Sequence, residues 1–176
     1  MRFRIAVAGG LVTGCLVTGC LLAGLGFSSM VAQAQAGTLP MPAPAAKSYV
    51  LYLAEDQDVH AGKRTVLELH FRVVSGFHVN SHTPNSALLI PTELALKSAA
   101  GVQAEAPQYP AGKSYSFSFD PATKLSVYTG DFVVKLPVVA EAGARMIHAT
   151  LHYQACDHAA CYPPHDLPVE VIFSAR

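Results

Sequence analysis

Between Thr65 and Val74 the chain alternates without a break: Leu67, Leu69, Phe71 and Val73 fall on one side, and Glu68, His70 and Arg72 on the other. A side-chain period of two is the period of a strand, and an apolar set opposite a charged set marks a strand with one face in a core. The pattern recurs. Phe132, Val134, Leu136 and Val138 alternate with Val133, Lys135 and Pro137, and Val169, Val171 and Phe173 alternate near the C-terminus. Shorter runs at Tyr49 to Leu53, Leu89 to Leu96, Val102 to Ala106 and Tyr115 to Phe119 are separated by Gly, Pro, Asn, Asp and Ser clusters at roughly ten-residue spacing. Glu93 to Ala100 begins just after Pro91 and reads as strand plus turn. This rhythm predicts an all-β, antiparallel sandwich or barrel in one domain, with no internal repeat of solenoid length.

The first 36 residues do not belong to that domain. Arg2 and Arg4 precede an uncharged apolar run from Ile5 to Phe27, and small residues follow from Val31 to Ala36. That order reads as a secretory signal, with cleavage favoured before Gly37. An uncleaved N-terminal anchor is a second reading, because the run is long enough to span a bilayer. Lipidation is a third, since Val12-Thr13-Gly14-Cys15 and Val17-Thr18-Gly19-Cys20 resemble lipoprotein boxes. All three export the domain. Residues 37–47 include the Pro/Ala-rich stretch Thr38 to Ala46 and read as an extended spacer, with the folded domain at 48–176. Without Arg2 and Arg4 the twelve basic residues become ten against twelve acidic ones, a formal charge of −2, which gives no electrostatic reason to expect nucleic acid. Seven tyrosines and, of the chain's eight phenylalanines, the six that follow residue 36, with many Val and Leu, are enough for a core in which folding depends on neither a metal nor many disulfides.

Chemistry concentrates near the C-terminus. From Met146 to Cys156 the residues Ile147, Ala149, Leu151, Tyr153 and Ala155 alternate with His148, Thr150, His152, Gln154 and Cys156, so an unbroken period of two puts Cys156 on the more polar face. Cys161 follows after Asp157-His158-Ala159-Ala160. A hairpin-like connection would bring the two Cα atoms to the roughly 4.4–6.8 Å that a disulfide spans. Three uses of such a pair remain open on spacing alone. It could be a structural bridge, the commoner use in exported proteins, although a six-residue loop adds only about 2 kcal/mol on the chain-entropy model. It could be a redox pair, at a strand end open to an attacking thiolate. Or Cys156, His158, Cys161 and His165 could hold copper or zinc, although their gaps are not a zinc-finger pattern.

Tyr153-Gln154-Ala155-Cys156 followed by Cys161-Tyr162-Pro163-Pro164 resembles the cysteine hairpin of the N-terminal periplasmic domain of DsbD, the thiol:disulfide interchange protein. Gly76-Phe77-His78-Val79-Asn80 is similar to that family's glycine-aromatic turn, and Asp131 to Val138 to its strand with a Leu-Pro. The resemblance spans Ser48 to Phe173. It implies an immunoglobulin-like sandwich and a cofactor-free periplasmic relay of thiol–disulfide exchange, with Cys161 forming the mixed disulfide and Cys156 resolving it. It also implies thioredoxin-like oxidoreductases as partners. An aromatic cap over the pair is implied too, for which Tyr115, Phe117 and Phe119 are the candidates. His78, Asn80 and His158 are candidate supporting residues. No multispan membrane region or thioredoxin-like domain follows in this sequence, so the implied membrane-embedded electron donor acts in trans. Ala111-Gly112-Lys113-Ser114 stands where the family has an acidic cap sequence, and His78 and Asn80 stand where aromatics are common.

Overall fold

The computed structural model describes residues 47–176. The export segment and nearly all of the spacer lie outside the described residues. Twelve strands follow in chain order: β1 Val50–Leu53, β2 Gln57–Val59, β3 Thr65–Val73, β4 His78–Asn80, β5 Glu93–Leu96, β6 Val102–Ala104, β7 Lys113–Phe117, β8 Asp120–Tyr128, β9 Asp131–Ala140, β10 Gly143–Tyr153, β11 Ala155–Cys156 and β12 His165–Ala175. The described residues contain no helix.

Two four-stranded sheets, in the orders β1-β3-β9-β6 and β2-β12-β10-β5, make the sandwich. Each presents the apolar half of its alternation to a common core. Leu67, Leu69, Phe71 and Val73 of β3 and Phe132, Val134, Leu136 and Val138 of β9 belong to one buried cluster, together with Ile147, Ala149, Leu151 and Tyr153 of β10 and Val169, Val171 and Phe173 of β12. Period-two patterning on both layers is what an aligned β-sandwich requires, and the architecture is immunoglobulin-like. Truncating a fully buried side chain such as Phe71 would cost about 3–5 kcal/mol. Every pairing is antiparallel except β2 against β12, where Gln57 to Val59 run parallel to Phe173 to Ala175.

A third sheet, β11-β4-β8-β7, carries the cysteines. Strands β4, β7 and β8 of this sheet, and β5 of the second, depart from the sequence-based expectation. The three residues of β4 are all buried, so they show no alternation. The nine residues of β8 follow directly on the expected strand at Tyr115 to Phe119, which is in fact Lys113–Phe117 joined to β8 by the two-residue turn Ser118-Phe119. Leu89 to Thr92 are not strand, and β5 starts only at Glu93. Gly76, at φ +85°, makes the turn into β4 in a backbone region that residues with a Cβ rarely adopt. Gly112 precedes β7, where a Cβ would collide with Ser126 Oγ and Ser81 Cβ, so the β7–β8 hairpin can lie close against the end of β4.

Candidate functional site

The long β10–β12 ladder runs from Gly143 opposite Ala175 to Tyr153 opposite His165. At Gln154 the chain leaves that sheet. Ala155 and Cys156 then pair with Val79 and His78 of β4. The switch breaks the period of two, and both Ala155 and Cys156 are 0 % exposed. Cys156 therefore does not share the polar face of its neighbours, as unbroken alternation predicted. His148 and His152 stay on the outer face of β10, with His152 Nδ1 2.6 Å from Asp166 Oδ1 and His148 Nδ1 3.7 Å from Glu170 Oε1. Cys161 is exposed.

Cys156 and Cys161 are joined by a disulfide, with Cα atoms 3.9 Å apart. That is closer than the expected range, and local pairing accounts for it. The two cysteines form an antiparallel bridge flanked by Tyr162 N–H donating to Ala155 O at 2.8 Å and Asp157 N–H donating to Ala160 O at 2.9 Å. They are thus a non-hydrogen-bonded pair, the type in which opposed Cα atoms approach most closely. The connecting loop is held by Asp157. Its Oδ1 accepts from the N–H groups of Ala159 (2.7 Å) and Ala160 (2.8 Å), and its Oδ2 accepts from the Tyr162 hydroxyl at 2.6 Å. The Tyr162 hydroxyl and these two amides lower the Asp157 carboxyl to about 2, with a smaller contribution from His158. The same bond raises the Tyr162 hydroxyl. A permanent anion beside Cys156 opposes a second anion on either sulfur. His158 is exposed on the loop between them.

The glutamine of the Tyr153-Gln154-Ala155-Cys156 motif ties this loop to β4. Gln154 Nε2 donates to Tyr162 O at 3.1 Å, and its Oε1 accepts from Asn80 Nδ2 at 3.0 Å. Asn80 Nδ2 also donates to Ile90 O at 3.0 Å, and Thr92 Oγ1 donates to Asn80 O at 2.5 Å. Asn80 is fully buried, and its Oδ1 has no partner.

His78 is directly opposite Cys156 and 2 % exposed. Its ring lies 4.1 Å from that of Tyr115 and 5.8 Å from that of Phe117, centroid to centroid. Phe117 stacks in turn on Phe119 at 4.9 Å, and Phe119 is 68 % exposed at the hairpin turn. Two of the three candidate cap aromatics thus pack against the histidine that faces Cys156, and the third extends the stack into solvent. Burial lowers the His78 pKa, partly opposed by the Asp157 carboxylate. His78 Nε2 is buried without a hydrogen-bond partner.

Sequence reasoning did not single out the aromatic floor of the hairpin. Tyr49 stacks on Tyr162 at 5.1 Å and contacts Phe77 at 4.7 Å and His165 at 5.0 Å, while its N–H donates to the Tyr153 hydroxyl at 3.1 Å. These residues come from three stretches far apart in the chain, at Tyr49, at Phe77 and from Tyr153 to His165, and only the aromatics flanking each motif hinted at them. His165, a candidate ligand by sequence, is part of this stack. Among the described residues, no group of three or more His, Cys, Asp or Glu side chains is arranged to hold a metal ion.

A family model described as "Thiol:disulfide interchange protein DsbD, N-terminal" matches residues 50–171. Among solved structures, the DsbD N-terminal domain of Neisseria meningitidis in the reduced form is similar at 18 % identity and a TM-score of 0.41, over 66 % of this chain and 86 % of that one. The N-terminal periplasmic domain of ScsB from Proteus mirabilis is similar at 11 % identity and a TM-score of 0.44, over 69 % of this chain and 44 % of that one. No curated protein matches by sequence.

Proposed function

The chain belongs to the family of the N-terminal domain of the thiol:disulfide interchange protein DsbD, and from that membership we propose that it relays electrons by thiol–disulfide exchange at Cys156 and Cys161. The observation that carries the assignment of roles is the unequal burial of a bonded pair: Cys161 is exposed, and Cys156 is sealed at 0 %. An incoming thiolate attacks the sulfur it can reach in line with the bond it breaks. Attack on Cys161 Sγ forms the mixed disulfide there and releases Cys156 as the leaving thiolate. In the other direction, reduced Cys161 attacks a partner's disulfide and expels one partner thiolate. Cys156 then attacks Cys161 Sγ and expels the partner's second sulfur, so two electrons and two protons pass to the partner in all. The backbone bonds between Ala155 and Tyr162 and between Asp157 and Ala160 do not depend on the sulfur bond, which favours little movement between the two states.

In this reading Tyr115, Phe117 and Phe119 cap the buried sulfur through His78, Asn80 braces the hairpin through Gln154, and His158 is a solvent-facing loop residue. The folded domain is 48–176, exported behind a signal at 1–36 and a spacer at 37–47. Its partners are thioredoxin-like periplasmic oxidoreductases and a membrane-embedded electron donor, and no cofactor takes part.

Mixing Cys156→Ser with a thioredoxin-like oxidoreductase should accumulate a covalent adduct through Cys161, and Cys161→Ser should give none. Failure to trap an adduct, together with a reduction potential below roughly −300 mV, would mark the bond as a structural staple and overturn the proposal.

A further inference from the structure

We propose that His78 accepts the proton of the Cys156 thiol when Cys156 resolves the mixed disulfide on Cys161, and returns it when Cys156 is released as a leaving group. This rests on the exchange reading above and adds a proton acceptor to it.

The placement comes from the sheet switch at Gln154. Direct opposition in an antiparallel pair puts two side chains on the same face with Cβ atoms about 5 Å apart. Both residues are closed off from water, at 0 % and 2 % exposure. A thiol in that setting has no solvent to ionise into, and burial in apolar surroundings disfavours its thiolate. Yet resolution requires a thiolate at Cys156. The imidazole opposite is covered by the rings of Tyr115 and Phe117, and its Nε2 has no partner. A buried polar atom left without a partner costs about 1–3 kcal/mol, and an unused ring nitrogen on the residue paired with the resolving cysteine is available to take its proton.

The charges around the ring suit a base. Burial keeps the imidazole neutral, with a lone pair to offer, while the Asp157 carboxylate stabilises the imidazolium that forms. Of the other polar groups on the elements packed against His78, the Tyr128 hydroxyl donates to Pro110 O and accepts from the His82 N–H. The Lys113 ammonium is directed to Thr129 O and the Lys124 ammonium to Ser116 Oγ. Tyr115 offers its ring to His78.

The step balances within the exchange. The S–H bond of Cys156 breaks, its proton goes to Nε2, and its electron pair forms the new bond to Cys161 Sγ. The bond from Cys161 to the partner breaks, and the partner sulfur leaves with that pair. The proton then passes from His78 to the departing partner thiolate, and the ring is neutral again. In reverse, the imidazolium protonates Cys156 as the disulfide opens.

The test uses the reduced full chain carrying Cys15→Ser and Cys20→Ser, mixed with 5,5′-dithiobis(2-nitrobenzoate). Attack by Cys161 releases a first thionitrobenzoate at a rate proportional to reagent. Attack by Cys156 on the resulting mixed disulfide releases a second at a rate independent of reagent. The second phase should rise with pH and level off above a midpoint lower than that of an ordinary histidine. His78→Phe, which keeps a ring under Tyr115, should slow the second phase about a hundredfold at pH 7, remove that midpoint and leave the first phase within about twofold. His78→Gln, polar but unable to take the proton, should show the same loss, and it serves alone where the Phe variant fails to fold. A second phase as fast in the folded variants as in the parent, with the same pH profile, overturns the role of His78. Absence of the first phase in the parent would instead overturn the exchange reading.

Discussion

Reducing the Cys156–Cys161 bond should cost the folded domain about 2 kcal/mol and no more. The bond closes a loop of six residues. Cross-linking so short a segment removes roughly 7 cal/mol/K from the unfolded chain, which is about 2 kcal/mol at 25 °C. The reduced hairpin keeps its two flanking backbone bonds and the Asp157–Tyr162 contact, and Cys156 stays a small buried residue. No native contact beyond the sulfur bond is therefore lost. By the thermodynamic cycle, folding stabilises the bond by the same amount, which moves the potential by about 40 mV against the unfolded chain. Urea unfolding of the oxidised and reduced forms measures the difference directly. For an ordinary denaturant slope the midpoints should lie about 1 M apart. A loss above about 4 kcal/mol, or a reduced chain that does not fold, would refute the view that the sandwich core carries the fold. A relay needs both forms folded, so the same result would count against the relay.

Asn80→Ala removes donors to Ile90 O and Gln154 Oε1 inside a buried network and should cost about 2–3 kcal/mol in urea unfolding, most of it recovered by no surface compensation. Asp157 has a lowered folded-state pKa, so its contribution to stability is full above the ordinary carboxyl value of 3.8 and fades as pH falls towards about 2. Tyr162→Phe should raise that value, which carboxyl chemical shifts followed through an acid titration would show. Phe117→Ala, by thinning the cover on His78, should speed reduction of the disulfide by a small thiol such as dithiothreitol, while Phe119→Ala at the exposed turn should leave stability within about 0.5 kcal/mol. Equal reduction rates in Phe117→Ala and the parent would remove Phe117 from the cap.

The elements legible in the sequence are those whose environment stays constant along the strand. β3, β9, β10 and β12 face one core along most of their length, so Leu67 to Val73, Val134 to Val138, Ile147 to Tyr153 and Val169 to Phe173 spell out a period of two. β4 is covered on both faces, and His78-Val79-Asn80 then carries no pattern to read. β8 begins at an Asp-Pro that looks like a turn, and only Leu125, Val127 and Tyr128 at its far end are buried. β2 is three residues paired in parallel with β12, a long-range register that no local signal encodes. The cysteine spacing was enough to propose the pair, but not its asymmetry. The burial of Cys156 follows from the change of sheet at Gln154, and that depends on Asn80, more than seventy residues away.

The two sulfurs of one bond stand in unlike surroundings, and this gives the site a polarity that holds in whichever direction electrons pass. On the proposed relay, a protein thiol and a small metabolite would meet the same outward atom and shed the same inward one. Chance encounters would thereby be narrowed to one covalent intermediate, which only the inward sulfur can resolve.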